Sequence, residues 1–293
     1  MRQATYAAVI VAITLITMKS VTFYLTDSVA MLGTLVDSLL DGAASLLNLI
    51  AIRHSLTPAD DEHRFGHGKV EALAGLGQAA FIVGSAGFIV YKSINRLITP
   101  EPVAPSWPGI IMIIVAIILT LGLVAFQRHV VARTGSLAID ADSLHYRGDL
   151  LMNLAALLAL FLSGILGLHW ADAVGGVLIA LLIGYSAWRI VISSYGQLMD
   201  AELDDVDRDR IMAIARSHSD VLGIHDLRTR KAGIHTFIQF RLELDGDLSL
   251  TKVHMISNDV ETCIIEAFPD AEVIIHQDPA GLVPGWSSEY ATD

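Results

Sequence analysis

Residues 102–127 contain no Asp, Glu, Lys or Arg, and a run of that length constrains the fold more than any other feature of the chain. A helix that crosses a bilayer needs about 20 mostly apolar residues. Residues 72–91 and 150–171 are equally free of charge, while 3–18 continue past Lys19 to Leu25 and 173–188 continue past Arg189 to Met199. One further stretch, Ser28 to Ile52, is apolar apart from Asp37 and Asp41. These runs predict six transmembrane helices, roughly 4–26, 28–53, 70–95, 107–130, 139–166 and 170–199. The first is not a secretory signal: it is long, no small-residue cleavage site follows, and the next helix begins almost at once.

Charge divides the chain. Residues 201–293 carry 18 acidic and 8 basic side chains, whereas residues 1–200 carry 13 and 11. The reading is a transmembrane domain over 1–200, a soluble acidic domain over 201–283 and a disordered tail over 284–293. Only 17% of all residues are charged, against about 25% in soluble domains, which excludes an ordinary soluble enzyme and a disordered chain. A net charge of −12 speaks against a nucleic-acid partner. The single cysteine, Cys263, excludes an intrachain disulfide and any multi-cysteine metal site. Arg53, Arg64 and Lys69 in one loop and Arg128 and Arg133 in another place those loops in the cytoplasm, together with both termini.

The soluble part predicts helix 204–217, strand 221–230, strand 235–244, helix 250–267 and strand 271–277. Ile238, Phe240, Leu242 and Leu244 alternate with Gln239, Arg241 and Glu243, the period of a half-buried strand. The αββαβ order implies a three-stranded sheet with two helices on one face, a metallochaperone-like α+β domain behind the membrane α-helical part.

Three clusters carry the chemistry. Asp37 and Asp41 are four apart and share a helix face, extended by Thr34, Ser45 and Asn48. Asp142, His145, Asp149 and Asn153 make a second polar stripe in the fifth helix. An ionised carboxylate at bilayer depth costs at least about 2.5–3.5 kcal/mol. These groups therefore face one another, water or a cation, and three Asp oxygens with one imidazole suit a tetrahedral Zn²⁺ site. In the loop after the second helix, Asp60, His63 and His67 are spaced three and four apart. That spacing fits one metal if the segment is turn-like or helical, and a solvated polar loop otherwise. In the soluble part, His225 lies in a strand and His254 in the amphipathic helix, and His276-Gln-Asp278 puts two donors on one face of an extended chain. Singly, each of these histidines reads as an ordinary surface residue.

The motifs together resemble the cation diffusion facilitator family, in its bacterial zinc- and iron-efflux branch. They are Leu35-Val-Asp-Ser-Leu-Leu-Asp41, Pro58-Ala-Asp-Asp-Glu-His-Arg-Phe-Gly-His-Gly-Lys-Val-Glu71, Ala141-Asp-Ser-Leu-His-Tyr-Arg-Gly-Asp149, His225-Asp-Leu-Arg-Thr-Arg230 and Val273-Ile-Ile-His-Gln-Asp-Pro279. The resemblance covers about residues 5–280. It implies a homodimeric antiporter of the bacterial inner membrane that exports Zn²⁺, and also Cd²⁺ or Fe²⁺, against protons, with no enzyme activity. It further implies a transport site of Asp37, Asp41, His145 and Asp149 and a loop site of Asp60, His63 and His67. A cytoplasmic site would draw on His225, His254, His276 and Asp278, with structural zinc, and Lys69 and Asp200 would link protomers near the membrane surface.

One departure stands out. The branch usually has a histidine where this chain has Arg241, and a guanidinium stays protonated and cannot ligate zinc. The cytoplasmic cluster is therefore expected to hold fewer metals than in its relatives. A zinc protease is excluded, because Arg64, Phe65 and Gly66 separate His63 from His67 without the Glu such an enzyme needs. Nothing in the tail resembles a signalling module, so a metal sensor has no support.

Overall fold

A computed structural model describes residues 1–26, 29–98, 107–166 and 170–281. Within the described helices the side chains of residues 25–26, 29–34, 36–37, 96, 107–109, 156, 159–166 and 170–173 lie outside the description, so Asp37 and Thr34 are placed by backbone alone. The expected disordered tail lies outside the described residues. The chain divides after Tyr195 into two compact units.

The first unit is built from α1 (Arg2–Thr26), α2 (Val29–Ser55), α3 (Lys69–Ile98), α4 (Trp107–Thr134), α5 (Leu137–Leu166) and α6 (Trp170–Leu198). Among the described residues four of these are long and apolar enough to cross a membrane: Arg2–Tyr24, Lys69–Asn95, Ile110–Thr134 and Val174–Leu198. The other two, α2 and α5, carry the acidic stripes. Local chemistry sets the α4–α5 boundary. Gly135 takes a left-handed φ of 62° and its N–H bonds Val131 O at 2.8 Å, ending α4. Ser136 then starts α5, its Oγ accepting from Ile139 N at 3.3 Å.

The packing inverts the soluble pattern. Many buried positions on α1, α3 and α6 are small: Ala4, Ala8 and Ala12, then Ala72, Ala79 and Ala86, then Ala180 and Ala187. Large apolar groups such as Leu46, Leu47, Leu178, Leu181 and Trp188 point outward. Without a hydrophobic drive between helices in lipid, small residues are what let backbones close up. At Gly75 a Cβ would stand 2.7 Å from Ser194 Oγ, so a larger residue there would force that hydroxyl to turn away. Helix α5 packs on α2, α3 and α4. Its Ala141 and Leu144 share a core with Ala79 and Ile82 of α3 and Ala180 and Ile183 of α6.

Buried polar groups tie neighbouring helices to α5. Tyr146 Oη lies 2.8 Å from Ser45 Oγ and donates to Ala8 O at 3.4 Å. Asn48 Nδ2 donates to Ala138 O at 3.3 Å. Asp142, 1% exposed, accepts from Gln127 Nε2 of α4 at 2.6 Å and Gln78 Nε2 of α3 at 3.3 Å. The fifth-helix stripe thus divides: Asp142 is held by amides from α3 and α4, and His145 and Asp149 face α2.

The second unit runs α7 (Asp205–Arg216), β1 (Gly223–Ala232), β2 (His235–Leu244), α8 (Leu250–Ala267) and β3 (Ala271–Pro279). Sheet order is β1-β2-β3, with β1–β2 antiparallel and β2–β3 parallel. Asp204 caps α7 by accepting from Asp207 N at 2.9 Å, and Ser249 caps α8 by accepting from Lys252 N at 3.3 Å. Pairing continues to Ala232↔His235, two residues beyond the expected strand end, because Gly233 takes a φ of 63° and closes a tight hairpin. Ile211 and Ala215 of α7 and Ile256, Val260 and Ile264 of α8 cover Ile224, Ile238, Phe240, Leu242 and Leu244. Both helices therefore lie on one face, and Arg241 belongs to the other.

Leu242 is fully buried in this core, so Leu242→Ala is expected to lower the opening free energy of β2 by about 2–5 kcal/mol. Amide hydrogen exchange in the whole protein would read this as faster exchange across β1–β3, with Glu243→Ala unchanged within about 0.5 kcal/mol.

Candidate metal centres

In the first unit, His145 Nε2 lies 2.9 Å from Asp41 Oδ1 and 3.7 Å from Asp149 Oδ2. One ligand atom from each of the three falls within 4.8 Å of the others. Asp41 comes from α2, and His145 and Asp149 come from successive turns of α5. Two donors about 2.0–2.1 Å from one tetrahedral ion stand about 3.4 Å apart, and the two observed separations bracket that value. His145 is 9% exposed, whereas Asp41 and Asp149 are partly open. The side chain of Asp37 lies outside the described residues, but its backbone puts it one turn before Asp41 on α2.

The loop gathers a second set. Asp60 Oδ1 accepts from His63 N at 2.6 Å and Glu62 N at 3.0 Å, a turn that folds His63 back over the carboxylate. His63 Nδ1 lies 3.2 Å from Asp60 Oδ1, and His67 Nε2 lies 3.5 Å from Asp60 Oδ2. The His63 backbone N–H is the main cause that holds the Asp60 carboxyl below its ordinary value, so it stays ionised as a ligand must. Gly66, at φ 75°, bonds back to His63 O at 2.9 Å and lets the chain turn into α3. His67 is buried, its ring centroid 4.5 Å from that of His63. His54, in the last turn of α2, lies against His67 with the ring centroids 4.7 Å apart. Sequence reasoning passed over His54, because nothing in its local spacing joins it to a residue beyond the loop.

The second unit departs from the expected four-residue cluster. His225, Arg241 and His276 stand opposite one another across the three strands. Asp278 Oδ2 lies 3.3 Å from His225 Nε2, its Oδ1 3.1 Å from His276 Nε2, and Arg241 donates to its Oδ2 at 3.0 Å. The guanidinium also reaches Asp226 at 3.5 Å, where β1 bulges and Asp226 takes a φ of 51°. His254 does not join this group. It is exposed on α8, which covers the opposite face of the sheet, so one chain cannot bring it to His225, His276 and Asp278. Among the described residues, the only triads of potential ligand atoms within 4.8 Å are the two in the first unit.

Lys69 opens α3 in the first unit, and Asp200 lies in the second, at φ 56°, paired with Arg230 at 3.2 Å.

Burial pushes the Asp278 carboxyl up, but hydrogen bonding and charge from Arg241, followed by His276 and His225, hold it below its ordinary value. A carboxyl lowered in the folded state contributes stability above its unfolded pKa, lost as pH falls through the folded one. Arg241→Met should therefore raise the Asp278 titration toward the reference value of about 3.9, read by carboxyl-carbon NMR. An unmoved titration would contradict Arg241 as the controlling group.

Comparison with known proteins accounts for both units. Residues 5–199 match the cation efflux transmembrane domain and residues 203–280 the cation efflux protein cytoplasmic domain. The chain is 49% identical over 281 residues to the cation-efflux pump FieF of Shewanella oneidensis, covering 96% of this chain and 95% of that protein. It is 48% identical to the FieF pumps of Cronobacter sakazakii and Escherichia coli K12, covering 96% of this chain and 94% of each. With matches across both units and relatives of nearly equal length, the chain belongs to the cation efflux family and is a membrane transporter, not an enzyme.

Proposed function

We propose that the chain exports divalent transition-metal cations from the cytoplasm, Zn²⁺ first and Cd²⁺ and Fe²⁺ with it, in exchange for protons. The observation that carries this reading is the convergence of Asp41, His145 and Asp149 at the separation one tetrahedral ion requires. Asp37 completes the set as fourth ligand. One imidazole among carboxylates favours zinc and cadmium over magnesium or calcium, which take all-oxygen shells.

The same residues supply the coupling. Aspartate and histidine bind metal only when deprotonated, so metal and protons compete for one set of lone pairs. Facing the cytoplasm, the site sheds protons and loads metal. Facing the more acidic outside of a respiring cell, it takes protons and releases metal. In either state the charge at bilayer depth stays compensated, which the cost of a bare carboxylate demands. Rocking of helices around a fixed site supplies the alternating access.

On this reading α2 and α5 cross the bilayer as well, giving six spans, because their carboxylates face the bundle and their leucines face lipid. Both termini are cytoplasmic, in the bacterial inner membrane, by the Arg and Lys residues around the α2–α3 and α4–α5 connections, Arg53, Arg64, Lys69, Arg128 and Arg133. The chain works as a homodimer, with Lys69 and Asp200 linking protomers at the membrane surface. Such a pair is worth about 0–1 kcal/mol and orients the protomers more than it holds them. Asp60, His63 and His67 hold an accessory zinc in the loop. The cytoplasmic cluster is depleted: the Arg241 guanidinium, salt-bridged to Asp278 and Asp226, supplies the positive charge that a metal would bring.

Asp149→Ala is expected to abolish zinc flux in reconstituted vesicles, and flux at the wild-type rate would remove the proposed site. His145→Asp keeps four ligands but makes them all oxygen, so it is expected to admit Mn²⁺ at the expense of zinc selectivity. Arg241→His should raise the metal bound per chain, counted by elemental analysis. A wild-type chain already carrying two ions in the cytoplasmic cluster would contradict the depletion.

A further inference from the structure

We infer that His54 is a fourth protein ligand of the loop metal, closing a tetrahedral shell with Asp60, His63 and His67. The inference rests on the loop being a metal site, and adds a ligand from a different element, the last turn of α2.

The argument starts from His67. Its side chain is 5% exposed, its Nδ1 is buried without a hydrogen-bond partner, and its Nε2 stands 3.5 Å from the nearest carboxylate oxygen of Asp60. That separation exceeds the 2.7–3.2 Å or so of a good hydrogen bond. It is instead close to the separation of about 3.4 Å between two donors on one tetrahedral zinc, so a metal on Nε2 would engage the nitrogen that faces Asp60 in a ring the protein otherwise holds poorly.

Ring spacing then singles out His54. With zinc about 2.0–2.1 Å from each nitrogen, two imidazoles on one tetrahedral ion have centroids about 5 Å apart. The His63–His67 centroids are 4.5 Å apart at 45°, and the His54–His67 centroids are 4.7 Å apart at 58°. Both rings thus stand from His67 at the spacing of metal-sharing imidazoles, tilted rather than stacked. His54 is exposed, so its ring is free of the packing that would stop it turning toward an ion. A histidine at a helix C-terminus also suits the helix dipole, but the dipole does not bring the ring against His67.

The donor count agrees. Three protein ligands leave an open position of the kind catalytic zinc sites keep, whereas closed four-ligand shells are the structural kind. A site of three imidazoles and one carboxylate would fasten the end of α2, the loop and the entrance of α3 to one ion. Since α2 also carries Asp41, loop occupancy would bear on the helix that holds the cargo.

The test uses the full-length protein in detergent with zinc as the probe. The zinc lost in His63→Ala defines the loop ion, and X-ray absorption of the difference counts its imidazoles. The expected result is three in the wild type and two in His54→Ala, with loop affinity falling about tenfold or more. An unchanged imidazole count, whether or not affinity falls, overturns the assignment, because His54 would then act from outside the shell. Should His63→Ala leave zinc binding untouched, the loop site itself is gone and the role of His54 with it. His54→Gln, which keeps the helix end polar, should reproduce the loss of one imidazole if the ring nitrogen is the ligand.

Discussion

Charge inside a bilayer must be compensated, and the rest of the first unit follows from how this chain meets that requirement. Four helices satisfy it by having almost nothing to compensate. On α2 and α5, Asp142, Asp41 and Asp149 meet polar partners from within the helix bundle, in two different ways. Asp142 is surrounded by the amides of Gln127 and Gln78, uncharged donors that fix it in place. Asp41 and Asp149 are set against His145, a group whose proton a cation would replace on the proposed reading. The difference between a fixed carboxylate and an exchangeable one lies in whether amides or an imidazole face it.

The second unit shows the converse device. Across the open face of its sheet, His225 and His276 flank the Asp278 carboxylate, and a guanidinium stands among them. Arg241 neutralises Asp278 permanently, where a metal would do so only when bound. The bulge at Asp226 brings a second carboxylate to the same cation.

Much of this was legible in the sequence where the cause is local. The alternation of β2 is a short-range signal, and the strand formed over the expected 235–244, whereas α4 and α5 run closer together than hydropathy put them, meeting at Gly135-Ser136. Asp41, His145 and Asp149 were readable because a charge in an apolar run has few physical explanations. The partners of Asp142 were not, because Gln127 and Gln78 come from other helices and neutral amides leave no mark in a charge count. His54 was invisible for a related reason: it precedes the loop motif and meets His67 only because the loop folds α3 back beside the end of α2. His254 entered the cytoplasmic set through the family resemblance, and within one chain it lies on a helix that covers the other face of the sheet. Strand β1 ran past its expected end because a left-handed glycine, not hydropathy, decides where a hairpin turns.

The central claim is that one intramembrane Asp/His site binds metal and protons in exchange. The most direct test is simultaneous recording of zinc and proton fluxes in sealed vesicles containing the purified protein, with fluorescent indicators for both ions inside. The account predicts that inward zinc movement drives protons outward, and that an imposed proton gradient moves zinc the opposite way. Zinc flux with no opposing proton movement would contradict it.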